Sequence, residues 1–284
     1  MLVADGRRRA DILLLIALAP AAIVNIWCGQ TGFWIAALLI GGLVQLDRRP
    51  ILAGILFGIL TIKPQLGLLL PLMLVLTGRW RTIAAATATI VVLVTAAGLA
   101  FGSKVWLAYW TDAMPTQTAI VVGIFQHYMV GRPSAFMNAR VAGLPSSVAF
   151  CIQALVSAAA IAAVVWTFRR GRDRDLSNAL FLAASFAVTP YVFNYDMVAF
   201  SWLIIKLMDR GDNNAWDFGM MLAVWSVPFL TVPLGMAGIP ISCLPILILG
   251  GRLIWRLWIL AESQSDAIRV PSIARPVSQP LATG

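Results

Sequence analysis

The sequence predicts an all-α, polytopic transmembrane helical bundle, with short broken hairpins that re-enter from one face. Three observations predict it. The 284 residues are 60% hydrophobic and only 12% charged, whereas soluble domains carry about 25% charged residues. Mean hydropathy is +0.87, more apolar surface than a chain of this size can hide from water. The apolar residues fall in separate runs, and basic clusters punctuate those runs at alternate breaks.

The runs occupy roughly 10–27, 31–46, 51–62, 66–77, 82–101, 146–168, 176–190, 197–208, 217–235 and 239–258. The first follows Arg7-Arg8-Arg9, as a signal peptide would, but it continues to Trp27 and is expected to remain as a helix. Further clusters stand at Arg48-Arg49, at Arg79 and Arg81, at Arg169-Arg170-Gly171-Arg172, and at Lys206 and Arg210. Cytoplasmic loops retain such clusters. With the N-terminus inside and strict alternation, 17 of the 21 Lys+Arg fall on the cytoplasmic side, as does the C-terminus. The exceptions are Lys63, Lys104, Arg132 and Arg140. The net charge of +9 therefore reports topology in a plasma or inner membrane and argues against a nucleic-acid partner.

The same rule interprets ILFGILTIKPQLGLLLPLMLVL, residues 55–76. As one span, 51–77 would put Arg48-Arg49 and Arg79-Trp80-Arg81 on opposite sides. As two arms meeting at Lys63-Pro64-Gln65, it keeps both inside. Each arm is about 12 residues, or ~18 Å of helix, against a hydrocarbon core of ~30 Å. The turn is expected to lie recessed below the outer surface, where irregular backbone is tolerated only inside protein or beside a water-filled cavity. Two more short arms flank Thr189-Pro190-Tyr191-Val192-Phe193-Asn194-Tyr195-Asp196. That turn, Gly29-Gln30-Thr31 and the long connection 102–145 all point to the same non-cytoplasmic face. Of the 12 acids, only Asp112 and Asp196 lie there.

Within 102–145, VWLAYWTDAM reads as an interfacial helix, and the remainder as a lid, a groove wall or an ordinary extracytoplasmic loop. Residues 1–261 form the transmembrane domain; 262–284, rich in Ser, Pro and Ala, form a disordered cytoplasmic tail. Cys28, Cys151 and Cys243 stand apart in apolar runs and read as buried thiols. One histidine, His127, with no acid nearby, makes no metal site.

GILFGILTIKPQLGLLL, the GQTG turn opening an apolar helix, and PYVFNYD together resemble glycosyltransferase family 87, polyprenol-phosphate-sugar-dependent membrane enzymes of the GT-C type. The likeness covers roughly residues 25–210. It implies transfer of a hexose, perhaps mannose, from a polyprenyl-phosphate sugar to a lipid or glycan acceptor at the outer leaflet. The lipid-linked sugar is a substrate, and no cofactor is implied. The family carries a base aspartate in its first outward loop, but no acid lies between Gly29 and Leu46 here. An N-terminally truncated or inactive chain is therefore one expectation.

A charge at membrane depth is functional by default and needs a partner. For Lys63 that partner is the donor phosphate, with the free N–H groups of a helix opened by the KPQ turn as support; alternatively it pairs with Asp196 or snorkels outward. Gln65 contacts phosphate or sugar, or joins helices. Asp196 serves as charge partner, acceptor-orienting group or substitute base. Tyr191, Asn194 and Tyr195 flank it. Gln30, His127, Arg132 and Arg140 line the outer groove or are solvated. A transporter or lipid-flipping protein is the rival reading, since broken helices suit those as well.

Overall fold

Run length decides which helices cross the bundle and which stop halfway. The computed structural model describes residues 13–123, 129–170 and 173–269, and every regular element among them is helical. Residues 13–17 are followed by α1 (Pro20–Trp27) and α2 (Gly32–Gln45). The KPQ hairpin comprises α3 (Pro50–Ile59) with a 3-10 turn Leu60–Ile62, then a 3-10 turn Pro64–Gly67 and α4 (Leu70–Leu76). A full-length helix, α5 (Trp80–Phe101), comes next.

A helical arm then leaves the bundle: α6 (Lys104–Ala108), a π turn Tyr109–Ala113, and α7 (Met114–Gly123). A 3-10 turn (Met129–Gly131) and α8 (Ala135–Val141) return to it. The rest is α9 (Ser146–Arg170), α10 (Arg174–Ala187), a 3-10 turn Asn194–Met197, α11 (Val198–Met208), α12 (Ala215–Met236) and α13 (Leu244–Arg269). Trp80–Phe101, Ser146–Arg170, Ala215–Met236 and Leu244–Ser263 are long and apolar enough to span a bilayer. The protein is an all-α polytopic membrane protein.

Ion pairs gather one end of the bundle. Asp47 pairs with Arg79 and Arg174. Arg210 pairs with Asp173 at 2.7 Å and Asp212 at 3.1 Å, and Asp212 also meets Arg256 of α13. The breaks at 46–49, 77–81, 173–175 and 209–214 therefore share an end, as the alternation of charge requires. Asp173 also caps α10 by accepting from the Leu176 N–H at 2.9 Å.

Helices α3 and α5 run parallel in close contact. A Cβ at Gly54 would lie 2.5 Å from the Thr82 carbonyl oxygen, and one at Gly58 would lie 2.5 Å from Thr89. Small residues permit that approach. The register locates the KPQ turn. From the level of Thr89, α5 climbs twelve more residues, ~18 Å. The hairpin climbs only five, ~8–10 Å at helical rise. Lys63 thus sits roughly 8–10 Å below the far end of α5, recessed as its arm length dictates.

Several expectations need correction. The KPQ turn opens only a four-residue 3-10 turn, with Lys63 at its N-cap, so no helix N-terminus awaits an anion there. The stretch VWLAYWTDAM is helical but interrupted by the π turn, and the helix continues through Gly123. Of the remainder, residues 130–139 are buried in the bundle, with Ser134 capping α8 and Asn138 bonded to Ser242 Oγ at 2.9 Å. Cys243 is buried, but Cys28 and Cys151 are exposed on the bundle surface, which in lipid costs a thiol little. Helix α13 extends to Arg269, into the stretch expected to be tail.

Candidate functional site

The three quoted stretches meet at the end opposite the ion-pair network. Pro190 ends α10 early, leaving the Ala187 and Val188 carbonyls without helical partners. Gln153 Nε2 donates to the Ala187 carbonyl at 2.9 Å, and Ser157 Oγ to that of Val188 at 2.7 Å. This fixes the start of the 189–196 segment. Its far end is held by Asn194, whose Nδ2 donates to the Pro228 carbonyl at 2.9 Å, in the middle of α12. Between them the chain is extended at Phe193, the N-cap of the 3-10 turn that carries Tyr195. Their rings stack at 5.0 Å with an interplanar angle of 8°.

Each ring carries a cation. The Arg132 guanidinium lies 4.5 Å from the Phe193 centroid and 6.0 Å from that of Tyr191. The Lys63 ammonium lies 4.6 Å from the Tyr195 centroid and is bonded to Asp196 Oδ1. Asp196 Oδ2 accepts from the Phe193 N–H at 3.2 Å. The carboxylate side chain is fully enclosed, while 15% of the Lys63 side chain remains exposed. Both Asp196 oxygens are thus engaged, and only the lysine end of the pair faces open space. The pairing of Lys63 with Asp196, one of the sequence alternatives, is realised here.

The GQTG stretch joins through its second glycine. The Gly32 N–H donates to Asn25 Oδ1 at 2.8 Å. A Cβ at Gly32 would collide with the backbone carbonyl of Tyr195 and lie 2.7 Å from Asn25 Oδ1. Helix α2 can therefore abut the 189–196 segment only with glycine at that position. Gln30 is exposed at the same turn.

The remaining candidates divide. Gln65 is half-buried on the KPQ turn, and none of the described side-chain hydrogen bonds involves it. Arg140 donates to the Leu144 carbonyl at 2.9 Å, closing the end of α8 rather than facing the ring pair. His127 lies outside the described residues. Two participants escaped the sequence reading. Asn25 is 2% exposed; its signal was a lone amide in the apolar run PAAIVNIW. Phe193 was quoted within PYVFNYD but given no role of its own.

Fold and site together define a multi-pass membrane protein with a buried ionic and aromatic centre recessed near one end. The family model for Glycosyltransferase family 87 matches residues 2–190. The chain belongs to that family of membrane glycosyltransferases. The matched region contains the GQTG and KPQ stretches and ends at Pro190, just before the rings. No curated protein and no solved structure matches the chain.

Proposed function

We propose that this protein transfers a hexose from a polyprenyl-phosphate donor to a lipid or glycan acceptor, on the non-cytoplasmic side of a plasma or inner membrane. The observation that carries this reading is the recessed Lys63, which presents a partly exposed cation beside stacked aromatic faces at a depth where a charge is functional by default. The basic ion-pair end faces the cytosol, following the retention of Lys and Arg there.

In this reading the acceptor oxygen bonds to the anomeric carbon as the bond from that carbon to the phosphate oxygen breaks. Polyprenyl phosphate departs with the electron pair, and the acceptor proton is released to the aqueous side. Lys63 has donors to spare beyond the one given to Asp196, and it stabilises charge gathering on the departing phosphate. Arg132 adds positive potential from the far side of the ring pair, and the aromatic edges and faces border the sugar. Asp196 acts as the counter-ion that holds Lys63 in place. A carboxylate with both oxygens occupied and no exposed surface is poorly placed to reach an acceptor hydroxyl.

Thermal protection by a polyprenyl-phosphate sugar tests this, since a ligand that binds only the folded state raises Tm. Wild-type protein in nanodiscs should be protected, and Lys63→Ala should lose protection while remaining folded. Equal protection of both proteins refutes the role of Lys63. Absence of protection, with solute uptake in vesicles, refutes glycosyl transfer. Membrane-impermeant thiol labelling of Gln30→Cys and Arg81→Cys, in protein whose exposed Cys28 and Cys151 are changed to serine, checks orientation, with position 30 expected to react from outside.

A further inference from the structure

The positive charge at the ion-pair end is unevenly matched. On one side, Arg210, Arg252 and Arg256 are answered by Asp173, Asp217 and Asp212. On the other, a single carboxylate draws the breaks at 46–49, 77–81 and 173–175 together, because Asp47 serves both Arg79 and Arg174. Arg48, Arg49, Arg81, Arg169 and Arg170 stand beside that joint along the chain. All are exposed, and among the described residues none forms an ion pair. With Asp173 taken by Arg210, Asp175 is the remaining acid of these breaks. The corner therefore keeps a large excess of guanidinium, while its neighbour is close to balanced.

The helices fix the level of this corner. Helix α5 starts at Trp80 and α9 ends at Arg170, and both are long and apolar enough to span. The 22 residues of α5 rise ~33 Å, slightly more than a hydrocarbon core of ~30 Å. Its charged end thus lies at headgroup depth. Trp80, 65% exposed between Arg79 and Arg81, is a residue type of that zone.

We propose that this corner binds the headgroups of anionic phospholipids in the adjoining leaflet. Guanidinium takes phosphate through paired N–H donors, and clusters of arginine beside a span attract anionic lipid. The exposed indole among the arginines, at the foot of a spanning helix, selects a lipid over a soluble polyanion. The same corner carries both feet of the KPQ hairpin, since α3 starts after Arg49 and α4 ends before Arg79. Headgroups held there steady the hairpin at the end opposite Lys63. The inference requires nothing of the sugar donor.

The full chain in detergent micelles is titrated with phosphatidylglycerol, phosphatidylcholine or glycerol phosphate. Native mass spectrometry reads lipid retention, and amide exchange reads location. Wild-type protein should prefer phosphatidylglycerol and lose the preference in about 0.5 M ammonium acetate, which screens charge beyond roughly 4 Å. Exchange should slow at 46–49 and 77–81 and stay unchanged at 209–214. Arg48→Gln with Arg49→Gln should weaken phosphatidylglycerol about thirtyfold. Arg81→Gln with Arg170→Gln should act alike, so that each pair checks the other. Lys104→Gln with Lys206→Gln removes equal charge away from the corner and should change binding less than about threefold. Equal loss from the lysine pair, protection at 209–214, or equal retention of the two lipids overturns the corner. Equal slowing of exchange by glycerol phosphate overturns lipid as the occupant.

Discussion

Removing Lys63 and removing Asp196 should have unequal effects. Lys63→Met strands a carboxylate that has no exposed surface and keeps only the Phe193 N–H as partner. Breaking a buried pair this way costs roughly 3–5 kcal/mol. The 15% exposure of Lys63 screens part of the pair, so about 3 kcal/mol is expected. Asp196→Asn keeps an acceptor for Phe193 and leaves an ammonium that retains the Tyr195 ring and some exposure, costing about 1–2 kcal/mol. The double variant removes both charges and should cost only about 1 kcal/mol. The coupling is then about 3–4 kcal/mol. Reversible unfolding in mixed micelles titrated with SDS, on all four proteins, gives each value. Additive single effects, with coupling below about 0.5 kcal/mol, would refute the claim that this pair organises the site.

Further outcomes follow from other contacts. Gly32→Ala should destabilise by about 1–3 kcal/mol, because its methyl meets the Tyr195 carbonyl; Gly29→Ala, with nothing within 4 Å but φ at +60°, should act only through backbone strain. Arg132→Lys should lose about 1 kcal/mol, since an ammonium lacks the flat face that stacks on Phe193; thermal melts of the two proteins decide. Leucine at both Gly54 and Gly58 should separate α3 from α5, read as faster proteolysis between residues 77 and 81.

At the basic end, burial would raise the Asp212 carboxyl, but hydrogen bonds from Arg256 and Arg210 outweigh it and hold the group below the usual carboxylate range. A lowered folded pKa gives stability that is present above the unfolded value, near 4, and lost as pH falls through the folded one. Melting temperature should thus drop below about pH 4, and Asp212→Asn should flatten that part of the profile.

The bundle was legible because lipid simplifies the reading. Run lengths gave the half-helices, and retained arginines gave the alternation that Asp47, Asp173 and Asp212 realise as ion pairs. Lys63 and Asp196 stood out as charges with no local partner, and they found each other. The ring pair was harder, because in PYVFNYD aromatic residues serve packing as readily as recognition; which of them stack depends on the change from extended backbone at Phe193 to a 3-10 turn at Asn194. Arg132 and Arg140 looked alike in sequence. One turned under the rings and the other closed its own helix, a difference set by position relative to the end of α8. The burial of 130–139 was not legible either, because it depends on Asn138 reaching Ser242, 104 positions away.

Lys63 and Asp196 are separated by 133 positions. A ribosome adding roughly 5–20 residues per second delivers the lysine some 7–27 seconds before its counter-charge. Throughout that interval the nascent hairpin carries an uncompensated ammonium, which hydrocarbon disfavours. The carboxylate that neutralises Lys63 thus belongs to a part of the chain made well after the hairpin that carries the lysine. Biogenesis of this end is a closing step, completed when the two halves of the chain neutralise one another.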